Sequence, residues 1–300
     1  PTITSGDTAS SVAENSVASQ VLYTATADVF DGITFSLTEG SDPAVSIDPV
    51  SGAVTLSTAP DFEAQSEYSF AVVATDAAGN ASEAQSVTLG INNLDEVAPT
   101  ITSSETAAAI DENSGSGQVI YTATADDSAD VSGGVTFSLA AGSDAALSID
   151  ASTGDVTLNA VPDADVQDQY SFTVVATDAA GNESAAQSVT LDINDLDDAA
   201  PINTSSDSAD AIDENSGAGQ VIYTATAYDN ADVSDGVIFS LMPGSDAALS
   251  IDAATGEVTL NADPDAEAQT EYSFAVKATD VAGNESEVQS VTLNVNNLDD

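Results

Sequence analysis

The sequence predicts an all-β chain: three tandem Greek-key β-sandwiches in an extended array. Three observations lead there. The chain of 300 residues repeats itself with a period of about 100 residues. Apolar residues within each repeat recur every second position. Turn signals rich in Gly, Asn and Asp separate the short β-branched and aromatic runs.

The repeat is legible by eye. The string at 68–80, YSFAVVATDAAGN, returns as YSFTVVATDAAGN at 170–182 and as YSFAVKATDVAGN at 272–284. QSVTLGINNLDE at 85–96 returns as QSVTLDINDLDD at 187–198 and as QSVTLNVNNLDD at 289–300. DENSGSGQVIYTATA at 111–125 returns at 213–227, with a looser copy at 13–27. The expected units are therefore 1–98, 99–200 and 201–300. Pro1-Thr2-Ile3-Thr4 matches Pro99-Thr100-Ile101-Thr102 in phase, so the expectation is a stretch cut from a longer array. Tyr170, Phe172, Val174 and Ala176 share one strand face, with Ser171, Thr173 and Val175 on the other. Val189, Leu191 and Ile193 alternate likewise, as do Val135, Phe137 and Leu139. Thr153-Gly154 and Ala180-Gly181-Asn182 read as turns. No segment carries a helical stripe. Roughly seven strands per hundred residues read as a sandwich, each unit burying its own core.

Charge narrows the chemistry. Asp and Glu number 51 against one base, Lys277, for a formal net charge of −50. No basic face is available for nucleic acid, and none for anionic lipid. Cys, His and Trp are absent, which removes disulfides, thiolate nucleophiles, imidazole bases and zinc sites of Cys/His type. No run approaches the roughly 20 apolar residues of a membrane span, so no membrane insertion is expected. What remains is carboxylate, amide and hydroxyl chemistry.

Most of the acids read as solvated surface, but some recur at strand ends and repeat boundaries. Each unit has Glu-Asn near its first strand, at Glu14, Glu112 and Glu214. An acid-x-acid pair follows a proline, at Asp61/Glu63, Asp163/Asp165 and Asp265/Glu267. An Asp follows Ala-Thr, at Asp76, Asp178 and Asp280. Acidic linkers close the units at Asn93-Leu94-Asp95-Glu96, Asp195-Leu196-Asp197-Asp198 and Asn297-Leu298-Asp299-Asp300.

This set resembles the cadherin repeat, in the variant found in tandem in large bacterial surface adhesins. The resemblance covers all three units. It implies calcium at each junction, held by both neighbouring repeats and the linker, and an extracellular, cell-surface location. The family's linker pattern DxNDNxP falls on Asn93 to Pro99 and on Asp195 to Pro201. Its first-strand acid matches Glu14, Glu112 and Glu214. Its DRE motif matches the acid-x-acid pairs, with Asp165 in place of the usual Glu. Its first acidic loop matches Asp127 and Asp229, where unit 1 has Val29, and that loop's second Asp matches Asp130 and Asp232 only approximately. The later Asp matches Asp178 and Asp280.

Junction 1 is thus expected to gather Glu14, Asp61, Glu63, Asp95, Glu96, Asp127 and Asp178, with Asn93 as a neutral oxygen donor. Junction 2 is expected to gather Glu112, Asp163, Asp165, Asp195, Asp197, Asp198, Asp229 and Asp280. Seven and eight negative charges would repel without cations, and two or three divalent ions would roughly neutralise each set. Calcium accepts such sets of six to eight oxygens, whereas magnesium demands tighter octahedral geometry. An affinity of about 10⁻⁴–10⁻³ M is expected, tighter where eight charges converge. Glu214, Asp265, Glu267, Asn297, Asp299 and Asp300 form half a site, expected to bind calcium weakly.

The function expected is that of a calcium-rigidified extender in a cell-surface adhesin, with neighbouring repeats as its partners. The alternative is a module binding polysaccharide or identical chains. Against it, aromatics are only 5% of the chain, and Tyr68, Tyr170 and Tyr272 read as core or rim. Phe30, Phe62 and Tyr228 break the repeat. An enzyme is not expected: paired carboxylates can hydrolyse glycosides, but Asp61/Glu63 recurs in every unit, as structural ligands do. The Gly-Asn of the DAAGN turns reads as a turn device only.

Overall fold

The computed structural model describes residues 1–29, 32–131, 133–229, 233 and 236–298. Among these there are strands and turns but no helix. No helix is therefore long and apolar enough to cross a membrane.

The middle sandwich shows the plan. One sheet runs Val135–Leu139, Gln169–Asp178, Gln187–Asn194 and Ile110–Asp111 in that order. The first three pair antiparallel, and Ile110–Asp111 closes the sheet by pairing parallel to Gln187–Asn194. The facing sheet runs Gln118–Thr122, Asp155–Leu158 and Leu147–Ile149, all antiparallel. The short strand Thr100–Ile101 pairs antiparallel with Ala125–Asp126. Chain neighbours are thus often in different sheets, the crossing pattern of a Greek key. Equivalent sheets form from Val12–Asn92 and from Ile212–Asn296.

Period-two alternation builds the core. In Gln169–Asp178, Tyr170, Phe172, Val174 and Ala176 point inward and are buried. Tyr170, Phe172 and Val174 meet Ile120, Tyr121, Leu147, Val156 and Leu158 from the facing sheet. Tyr121 and Phe172 stack edge to face across the gap, with centroids 5.5 Å apart. The Tyr121 hydroxyl donates to the Ser104 carbonyl at 2.6 Å, so its polar tip is satisfied at the core's edge. Three such clusters form, drawn from residues 3–91, 101–193 and 209–295, with no residue in common. Tyr68, Tyr170 and Tyr272 belong to them, and Phe62 packs against the first. Tyr228 lies exposed, while Phe30 falls outside the described residues.

The same alternation has a second effect. Carried one step past Ala176, the inward face of the strand ends on Asp178, and past Ala278 it ends on Asp280. Both carboxylates are buried, 6% and 4% exposed. The register that makes the core delivers an acid to its rim.

The turn at Gly52, repeated at Gly154 and Gly256, depends on glycine for room as well as for φ. Gly52 adopts φ +72°, and a Cβ there would stand 2.5 Å from the Ala25 carbonyl oxygen and 3.2 Å from the Phe35 ring. Gly52→Ala is therefore expected to destabilise the first sandwich by at least ~1 kcal/mol. Gly40→Ala, in a turn with ordinary φ and nothing within 4 Å of the added carbon, should leave denaturant unfolding unchanged.

Candidate metal centre

The lower half of each junction is organised around a buried glutamate. Asn15 takes φ +57° and donates its amide to the Pro60 carbonyl at 2.8 Å, turning the chain just after Glu14. Glu14 is thereby directed inward and is only 2% exposed. Its Oε2 accepts from the Phe62 amide at 2.8 Å and its Oε1 from the Leu94 amide at 2.6 Å. One carboxylate thus ties the loop of the acid-x-acid pair to the linker. Glu112 does the same with the Ala164 and Leu196 amides, at 2.8 and 2.7 Å. Glu214 accepts from the Ala266 amide at 2.9 Å and from the Leu298 amide.

Glu14, Asp61 and Glu63 present carboxylate oxygens within 4.8 Å of one another, as do Glu214, Asp265 and Glu267. Glu112, Asp163 and Asp165 do not gather to that spacing. The sequence difference there is Asp165, one methylene shorter than Glu63 and Glu267. Crowding shows in the acidities. The backbone amide of Glu63 pulls its carboxyl down, but burial and the charges of Glu14 and Asp130 together push it above the usual range. Glu267 is raised chiefly by its contact with Glu214.

The upper half is a second trio. Asp95 from the linker, Asp127 and Asp178 bring carboxylate oxygens within 4.8 Å, and Asp197, Asp229 and Asp280 repeat the arrangement. Gly181 adopts φ +99°, which lets the turn fold back on Asp178. Asp178 Oδ1 accepts from the Gly181 and Asn182 amides at 2.7 and 2.8 Å, and Oδ2 accepts from Asn182 Nδ2 at 2.9 Å. Burial pushes the Asp178 carboxyl up, but these hydrogen bonds outweigh it and the net direction is down. Asp95 goes the other way: burial first, then the charges of Asp178, Asp127 and Asp130, hold it above the usual range.

Several expected residues sit beside the trios rather than in them. Glu96 accepts from Asn15 Nδ2 at 3.2 Å, and Asp198 from Asn113 Nδ2 at 2.7 Å. Asn297 donates to Glu267 Oε1 at 2.9 Å. Asp195, at the position of Asn93 in the second linker, joins neither cluster. Asp299 and Asp300 lie outside the described residues.

Two groups were underrated from sequence. Asp130 accepts from Asn93 Nδ2 at 3.1 Å and from the Glu96 amide at 3.4 Å, and its charge reaches both Glu63 and Asp95. Its counterpart Asp232 lies outside the described residues. The asparagine of the DAAGN turn is more than a turn device. Gly181, not Asn182, takes the positive φ, and Asn182 Nδ2 also donates to the Asp95 carbonyl across the junction at 2.9 Å. Its recurrence as Asn80, Asn182 and Asn284 was the signal available.

The donor set suits a hard divalent cation. Every candidate donor is oxygen. Asn93 Oδ1, Asp95 Oδ1, Asp127 Oδ2 and Asp280 Oδ2 are buried without a hydrogen-bond partner. Buried acceptors without a protein donor are costly unless water or a cation serves them. Lys277, the chain's only base, is engaged with Glu285 at 2.7 Å.

The cadherin-domain family model matches residues 106–194 and 210–296. The chain belongs to the cadherin family. A bacterial Ig-like domain model matches residues 7–93 of this cadherin-family chain. Human protocadherin Fat 4 is 30% identical over 280 residues, covering 88% of this chain and 6% of that protein. Zebrafish (Danio rerio) cadherin-related family member 1a is 30% identical over 263 residues, covering 84% and 30% respectively. The chain therefore spans only a small part of these relatives. Among solved structures, mouse protocadherin-24 EC1-3 superposes with a TM-score of 0.67 at 18% identity, covering 97% of both chains. Mouse cadherin-23 EC22-24 gives 0.62 at 24% identity, covering 97% of this chain and 96% of that one. At these identities the superpositions speak for the fold: tandem β-sandwich repeats.

Removing the buried glutamate strands two amides at once. Glu112→Ala should cost about 1–3 kcal/mol of stability in calcium-free buffer, read from urea unfolding. Asp168→Ala, at an exposed position in the same sandwich, should stay near wild type.

Proposed function

We propose that this chain is a calcium-stiffened extender from a bacterial cell-surface adhesin, made of cadherin repeats spanning 1–98, 99–200 and 201–300. The observation that carries the reading is the set of buried carboxylate and amide oxygens at the two junctions, on which no cationic side chain of the protein converges. In junction 1, Glu14, Asp61 and Glu63 from below, Asp95 and Asn93 from the linker, and Asp127 and Asp178 from above would hold the ions, with Asp130 linking the two trios. In junction 2 the same roles fall to Glu112, Asp163, Asp165, Asp195, Asp197, Asp229 and Asp280. Bound calcium would supply the positive charge that lets these acids share one small volume.

The role is mechanical. Acids that repel one another hold two sandwiches apart or let them swivel, and the same acids bridged by a shared cation hold them in register. Cadherin domains are adhesion modules, and a non-catalytic role for Asp61/Glu63 fits their recurrence. The extracellular setting follows from the calcium that such weak sites require. Tyr68, Tyr170 and Tyr272 are core and offer a polysaccharide no platform, which leaves Tyr228 as an exposed aromatic.

Small-angle scattering with calcium and with chelator tests the clamp. Calcium should give the larger and narrower distribution of maximum dimension, and an identical profile in both buffers would overturn the reading. The two junctions should also differ. Because Asp165 is one methylene shorter than Glu63, junction 2 should fill after junction 1 in a calorimetric titration. Asp165→Glu should tighten it by roughly 3- to 10-fold, the scale on which ligand charge and rigidity tune such sites.

A further inference from the structure

Each junction contains an amide that bonds the linker directly to the sandwich above it. Asn182 Nδ2 carries two protons. One goes to Asp178 Oδ2 at 2.9 Å and the other to the Asp95 carbonyl oxygen at 2.9 Å, 87 residues away in the chain. Asn284 Nδ2 donates to the Asp197 carbonyl at 2.9 Å, with Asp197 Oδ1 at 3.4 Å. Both junctions therefore share the bond to the linker carbonyl, whereas the bond to the upper Asp Oδ2 is made in junction 1 and Asp280 Oδ2 has no hydrogen-bond partner. Asn80, the first-unit copy, keeps only the local half: Nδ2 to Asp76 Oδ2 at 2.9 Å.

We propose that Asn182 and Asn284 are positioning residues that latch each linker to the upper sandwich before any cation arrives. The chemistry requires this residue type. A linker carbonyl and a carboxylate are both acceptors and repel at close range, and a primary amide with two donors bridges them. Lysine or arginine would bridge them too, but would leave a permanent charge competing with the divalent ion. Aspartate would add a further acceptor to the site. The amide contributes donors and no charge, so it orders the linker while leaving the site's anionic character intact. By fixing Asp178 and the Asp95 backbone together, it sets two of the three members of the upper trio in place. Outer-shell partners of this kind orient the ligands they bond.

The latch differs from the stiffening proposed above in acting without metal. It rests on the calcium reading only for its effect on affinity, so it is tested in two buffers. The chain has no cysteine, so spin labels can be placed through Ser46→Cys and Ser148→Cys, at exposed positions in the first and second sandwiches. In chelator, the wild-type distance distribution should be narrower than that of Asn182→Ala, and Asn80→Ala should match wild type. Asn182→Asp, which keeps the side chain's shape without its donors, should broaden the distribution like Asn182→Ala. With calcium, Asn182→Ala should weaken junction 1 by about 10–100-fold, the usual effect of losing an outer-shell partner, and leave junction 2 unchanged. Thermal unfolding of the same variants separates a lost latch from a lost fold, because Asn182→Ala and Asn80→Ala disrupt equivalent turns. Equal distributions for wild type and Asn182→Ala in chelator would overturn the latch. So would equal broadening by Asn80→Ala. A wild-type chain that takes up no calcium would sink the calcium reading, while the chelator distributions would still decide the latch.

Discussion

Like charge brought close together is the constraint around which this molecule is arranged. A chain of net charge −50 can disperse most of its acids over solvated surface, where salt and water screen them. It cannot do so for Asp95, Asp127 and Asp178, or for Glu14, Asp61 and Glu63, whose oxygens stand within 4.8 Å of one another. Burial and the neighbouring carboxylates together hold the Asp95 and Glu63 carboxyls above their usual pKa range. Folding opposes electrostatics at these seams, and the proposed calcium would relieve that opposition.

The devices that hold the acids in place are neutral. Backbone amides of Phe62 and Leu94 fix both oxygens of Glu14, and the amides of Gly181 and Asn182 fix one oxygen of Asp178. Amide side chains do the remaining work: Asn15 on Glu96, Asn93 on Asp130, and Asn182 on Asp95 and Asp178. A hydrogen bond orients a carboxylate without cancelling its charge. Each junction can therefore be ordered and still be strongly anionic. Lys277, the single counter-charge in the chain, sits within the third sandwich against Glu285 rather than at a seam.

The alternation that makes a sandwich also supplies its ends. Tyr170, Phe172, Val174 and Ala176 bury themselves because a strand turns every second side chain the same way. Asp178 inherits that orientation at the point where the core gives out. Stability and the candidate site are thus set by one register, and a slip of a single residue would lose both.

The β-sandwich class and the tandem plan followed from local pattern alone, since a period of two in Tyr170–Ala176 and a period of about 100 in the whole chain need no tertiary information. The acids at repeat boundaries were visible for the same reason: repetition marks position. Which of them meet was not legible. Glu96 and Asp198 stand in the linker motif beside Asp95 and Asp197, yet their carboxylates turn to Asn15 and Asn113. Asp165 reads as a modest substitution, yet its trio stays apart. Asp130 is out of register in its loop and still reaches the linker, and Asn182 looks like turn chemistry until the chain 87 residues away is brought against it. Sequence determines side-chain type and the face of each strand, because those depend on neighbours two positions away. Only the packed structure decides distances of a few ångströms between residues far apart in the chain, and the Coulomb energy of a carboxylate cluster depends on those distances.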